Sequence, residues 1–131
     1  MRPAIAAVMV WAGLLGLLYL ALAAWVVRHR YRTKTGIGDG GDPALARAVR
    51  VHANFAEYVP ITLVLLLLLA LAGWGSLHLH ILGGVLFVGR VAHAIGLAGS
   101  EGPSPGRAVG ILATWGVLGV ASALVLLTAL G

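Results

Sequence analysis

Four long apolar runs, separated by short polar or turn-rich stretches, dominate the hydropathy pattern of this chain. They cover approximately residues 3–27, 44–73, 77–98 and 106–130, each near the roughly 20 residues that cross about 30 Å of hydrocarbon. No run alternates with the period of two that a lipid-facing barrel strand needs. Backbone groups must be paired internally inside a bilayer, so the pattern predicts four membrane-spanning helices. The expected fold class is all-α: one integral membrane four-helix bundle forming a single domain over residues 1–131. The second run is fully apolar only after Val59; its first part reads RAVRVHANFAEYV.

The connections set the topology. The first run exceeds a signal-peptide core and is followed at once by Arg28, His29, Arg30, Arg32 and Lys34, so it reads as a retained helix. That basic cluster places the first loop in the cytoplasm, which puts both termini on the non-cytoplasmic side. Asp42-Pro43 reads as the N-cap and first-turn pair of the second helix. GWGS makes a short external hairpin, and GSEGPSPGR, broken by Pro103 and Pro105, returns to the cytoplasm. Gly83, Gly84, Gly106, Gly110, Gly116 and Gly119 are expected to allow close helix approach.

Composition narrows the function classes. Of 131 residues, 60% are hydrophobic and 10% charged, well under the roughly 25% charged residues of soluble domains. There is no cysteine, so any thiol chemistry must use a thiol supplied by a ligand. The formal net charge is +5, and five of the nine basic residues fall between Arg28 and Arg47. That clustering is a topology signal, and no nucleic-acid partner is expected.

The chemistry concentrates at one end of the bundle. Arg47, Arg50, Asn54 and Glu57 are spaced three, four and three apart, within an arc of roughly 80° on one helix. Ionisable groups entering a bilayer are costly and by default face a protein interior or a wet cavity. Antiparallel spans bring Arg90 and His93, three residues apart on the third helix, to the same cytoplasmic end. Arg107 opens the fourth helix there, while Arg28 and Arg30 close the first. This excess of positive charge around Glu57 suits an anionic ligand, because guanidinium forks hold carboxylates bidentately.

Plainer roles compete for each residue. Arg28, Arg30, Arg32 and Lys34 can anchor to membrane-lipid headgroups, and Arg47 and Arg107 can snorkel. Glu57 can be a structural partner of Arg50 or Arg90. His52 lies off the stripe, and His78 and His80 are two apart on different faces, so no metal site is expected. Trp25 and Trp74 read as interfacial anchors, Trp11 and Trp115 as packing residues.

The run from Arg47 to Pro60 carries the pattern Arg-x-x-Arg-x-x-x-Asn-x-x-Glu-Tyr-x-Pro at Arg47, Arg50, Asn54, Glu57, Tyr58 and Pro60. It closely resembles the signature of the membrane-associated proteins in eicosanoid and glutathione metabolism, the MAPEG superfamily. GRVAHAIG, from Gly89 to Gly96, looks like the second motif of its bacterial members. The resemblance implies a homotrimer in a bacterial inner membrane with pockets between subunits. It also implies glutathione as co-substrate and a lipophilic small molecule arriving from the bilayer. Arg50, Asn54, Glu57 and Tyr58 would hold the tripeptide, with Arg47, Arg90 and His93 nearby. The thiolate would be stabilised by Arg107, or by Arg28 or Arg30; Arg107 ranks first because it stands alone at a helix N-terminus. Aromatic hydroxyls of the better-known enzymes are replaced here by His93 and Leu97.

The resemblance therefore implies a glutathione-dependent membrane transferase or peroxidase. The alternative is a non-catalytic binding or scaffold protein of the same fold that takes a lipid or anionic metabolite. A proton pathway through Glu57 and His93 lacks carboxylates towards the external face.

Overall fold

The computed structural model describes residues 2–99 and 102–131; Ser100 and Glu101 of the third loop, and Met1, lie outside them. Four helices follow in order: α1 (Pro3–Thr33), α2 (Pro43–Leu71), α3 (Ser76–Ala98) and α4 (Pro105–Leu130). All four are long and apolar enough to cross a membrane. Among the described residues the backbones of α1 and α4 do not come close to each other, while α2 and α3 each approach both: α2 and α3 form the central pair, and α1 and α4 flank it.

Helix starts follow local chemistry. Pro occupies the first turn of α1, α2 and α4, where its missing N–H costs nothing. The Asp42 carboxylate accepts from the N–H of Leu45 at 2.7 Å, and the Ser104 hydroxyl accepts from the N–H of Arg107 at 3.3 Å. Ser104 also donates to the carbonyl of Gly96 at 2.9 Å, fastening the start of α4 to the end of α3.

α1 does not stop near residue 27. It continues to Thr33, because nothing between Arg28 and Thr33 breaks a helix and charge alone does not end one. Lys34 then closes it in the left-handed conformation, φ 54°. Arg30 folds back over the following loop and donates to the carbonyls of Thr35, Gly36 and Gly38 at 3.3, 3.1 and 3.0 Å. Arg32 reaches the Asp42 carboxylate at 3.0 Å, tying the end of α1 to the cap of α2.

The Asp42 carboxyl is held below its ordinary value of 3.8, chiefly by the Leu45 N–H and further by Arg32. A carboxylate whose pKa is lower folded than unfolded contributes stability above the unfolded value and loses it as pH falls through the folded one. Asp42→Asn keeps the cap acceptor and removes the charge. It is expected to unfold at a lower temperature than wild type at pH 7 and to converge with it as pH falls below the ordinary 3.8 and through the lowered folded value. Thermal scans across that range check this; a constant gap at all pH values would contradict it.

Two apolar clusters fill the interior. Ala4, Ala7, Val8, Leu66, Leu69, Ala70, Leu79 and Ala121 pack at the end where α1 and α3 begin. Leu15, Leu22, Val51, Phe55, Val59, Leu86, Leu97 and Val117 pack towards the other end. Between α3 and α4 the backbones come close at Gly89 against Gly110 and at Gly96 against Gly106, where a Cβ would strike main chain. Gly83 and Gly84 instead seat the Trp11 ring of α1. Gly116 and Gly119 face open space, so they are no part of a helix seam in the protomer. Trp115, read as a packing residue, is 52% exposed on the outside of α4. Trp74 donates its indole N–H to Thr128 at 3.0 Å and so joins the end of α2 to α4.

Candidate functional site

Twenty residues counted back from the end of α2 at Leu71 reach His52. Asn54 and Glu57 therefore lie within about 30 Å of hydrocarbon, and Arg50 stands at its edge. The structure divides this polar stripe along its length. Arg50 and Glu57, seven residues apart at one edge of the arc, turn outward and form a two-pronged ion pair: Nη1 to Oε1 at 3.0 Å and Nη2 to Oε2 at 3.1 Å. Their side chains are 55% and 46% exposed. Asn54, on the inner edge, is buried against α3.

The inward half is built around Arg90, which is 1% exposed. Its Nη2 donates to Asn54 Oδ1 at 2.8 Å and meets His93 Nδ1 at 3.2 Å, and its Nη1 reaches the Thr114 hydroxyl at 3.5 Å. The guanidinium lies 5.8 Å from the centre of the Phe55 ring. A guanidinium only donates, so His93 Nδ1 must be the acceptor and the ring proton sits on Nε2. Among the described residues no carboxylate touches Arg90, and its buried Nε has no partner. Glu57 is the partner of Arg50, not of Arg90.

Thr114 was not among the residues singled out from sequence. It hides its hydroxyl by donating to the carbonyl of Gly110 one turn earlier, at 2.8 Å. The available signal was a polar residue midway along an apolar span, one of three hydroxyl residues there with Ser122 and Thr128. His52, set off the stripe, stacks on Tyr19 of α1 with ring centres 4.6 Å apart. Tyr58 is half-buried beside Glu57.

An open cleft of about 400 Å³ lies at the N-terminal end of α2, lined by Pro43, Ala46, Arg47, Arg50, Leu97 and Arg107. Three helices contribute, and three of the six lining residues are arginines. The volume falls in the range of small-molecule pockets. Arg107 is thus brought to Arg47 and Arg50, whereas Arg28 and Arg30 are not. Arg28 is exposed beside Trp25, His29 and Arg32, and Arg30 is engaged by loop carbonyls. Chemically, the arrangement offers guanidinium forks for carboxylates, one carboxylate for a cation, and a cation at the start of α4 for a third anionic group.

Comparison with known proteins is consistent with this geometry. The model of the MAPEG family matches residues 8–127. The inner membrane protein YecN of Escherichia coli K12 is 38% identical over 86 residues, which is 66% of this chain and 66% of that protein. The YecN of Escherichia coli O6:H1 matches to the same extent, so the alignment leaves about a third of each relative uncovered.

Proposed function

This chain is a membrane protein of the MAPEG family, and from that premise we propose that it is a glutathione-dependent transferase or peroxidase acting on a lipophilic electrophile. The observation that carries the reading is the pairing of Arg50 with Glu57 beside a cleft that also holds Arg47 and Arg107. Glutathione has two carboxylates for arginine forks, an ammonium for Glu57, and amides for Asn54. The chain has no cysteine, so the reacting sulfur is the ligand's.

A free thiol has a pKa near 8.5 and is only about 3% ionised at pH 7. A guanidinium beside the sulfur favours the thiolate, and Arg107 is the arginine that meets Arg47 and Arg50 at the cleft. The thiolate sulfur attacks the electrophilic carbon, a thioether bond forms, and the leaving group departs with the displaced electron pair. The lipophilic partner would enter from the bilayer. Similarity to the inner membrane protein YecN supports an inner-membrane location, with the arginine-rich end in the cytoplasm by the positive-inside rule. A homotrimer would cover the outward Arg50–Glu57 pair, which a lone protomer leaves at hydrocarbon depth.

The test is conjugation of a halogenated nitrobenzene by the detergent-purified protein. Wild type is expected to turn over, and Arg107→Ala to lose about 8- to 16-fold in kcat at pH 7 while still binding glutathione, the fall in thiolate fraction expected from losing a pKa shift of one to one and a half units. The second reading, a non-catalytic binding protein, is favoured by Leu97, which lines the cleft but offers no hydrogen bond. It predicts binding without turnover in wild type, and Arg107-dependent turnover excludes it.

A further inference from the structure

Arg90 is a charged side chain, almost wholly enclosed, whose hydrogen-bond partners are all neutral. Burying a guanidinium without a carboxylate to compensate its charge is costly. The partners that it does have are of one kind: Asn54 and His93 both give Arg90 their acceptor atoms.

An asparagine side chain presents an oxygen on one prong and an NH2 on the other. With Oδ1 held by Arg90 at 2.8 Å, Nδ2 must occupy the opposite prong. Among the described residues Nδ2 has no hydrogen-bond partner, and it is not one of the fully buried atoms. The same cation fixes the His93 proton on Nε2, as its Nδ1 is the acceptor. One buried charge thereby sets the polarity of two neighbouring side chains, so that both keep an N–H to offer.

We infer that Arg90 is a positioning residue for the ligand site: it locks the Asn54 amide with its NH2 directed away from α3, as a donor for an acceptor group of the bound tripeptide. This rests on the glutathione reading above and assigns the part that Arg90 plays in it. Arg90 does not touch the ligand; it determines which atom of Asn54 does. Thr114 steadies the other guanidinium nitrogen.

Asn54→Asp separates this role from simple packing. The carboxylate keeps the acceptor facing Arg90 and adds a counter-charge, while replacing the outward donor with an oxygen. Thermal unfolding in detergent is expected to occur at or above the wild-type temperature, and glutathione affinity to fall at least 10-fold. Arg90→Met keeps volume and removes every donor, freeing the amide to rotate. It is expected to weaken glutathione binding about 10-fold in the wild-type background and by less than 2-fold in Asn54→Ala, because it acts through Asn54. Wild-type affinity in Asn54→Asp, or additive losses in the double variant, would overturn the role given to Arg90. If Arg90→Met fails to fold, the Asn54→Asp comparison decides alone. A flat titration of wild type itself would instead reject glutathione as the ligand, whereas Asn54→Asp melting well below wild type would reject the Arg90–Asn54 geometry.

Discussion

Glu57→Ala is expected to lower glutathione affinity by about 100-fold or more in calorimetric titrations of the purified protein, with Glu57→Gln between the two. Glu57 receives both prongs of the Arg50 guanidinium, at 3.0 and 3.1 Å. Removing the carboxylate leaves that cation without its partner at the edge of the hydrocarbon and removes the one acidic group on the stripe that can meet an ammonium. Truncating one member of a buried, hydrogen-bonded charge pair costs about 2–5 kcal/mol. Because Glu57 is 46% exposed in the protomer, the lower half of that range applies, and about 3 kcal/mol corresponds to somewhat more than 100-fold. Folded Glu57→Ala that titrates like wild type would remove Glu57 from the site and leave Arg50 with a structural counter-ion only.

The sequence spoke clearly about some of this and not about the rest. Four spans were legible because length and apolar composition are the conditions for crossing a bilayer. The end of α1 was not: a basic cluster marks the membrane boundary, but the helix runs until Lys34 can turn it. Helical periodicity placed Arg47, Arg50, Asn54 and Glu57 on one stripe. It did not reveal that the stripe splits, with Asn54 inward and the Arg50–Glu57 pair outward, because that depends on where α3 lies against it. Arg90 and His93 were legible as face-sharing polar groups. Thr114, which meets Arg90 from α4, was harder to single out, because a threonine that bonds its own helix can sit in an apolar span without belonging to any site. Small residues were ambiguous in the same way: Gly110 and Gly116 look alike in sequence, yet one meets backbone and the other open space. The Arg30 clamp on three loop carbonyls could not be read from residue identities, as it depends on main-chain atoms.

That contrast between glycines carries the largest expected effect on stability. Gly110→Ala should destabilise the protein by about 2 kcal/mol or more, and Gly110→Val should prevent α4 from docking. A Cβ at Gly110 would meet the carbonyl oxygen of Gly89 and the backbone nitrogen and Cβ of His93, closer than real Cβ contacts come. None of these is the free end of a flexible side chain, so α3 and α4 must move apart as whole helices. Overpacking in a closely packed interior costs about 1–3 kcal/mol even when side chains can adjust, and here they cannot. The displacement also falls on the turn that carries His93 and Arg90, so the Arg90–Thr114 contact should lengthen and glutathione binding weaken along with stability. Gly116→Ala is the matched control: the same helix and the same added methyl, with nothing within 4 Å. Alanine's higher helix propensity should make it neutral or stabilising by up to about 1 kcal/mol. Thermal unfolding of the pair in one detergent gives the answer; if Gly110→Ala melts with Gly116→Ala, the close crossing of α3 and α4 at Gly89 is wrong.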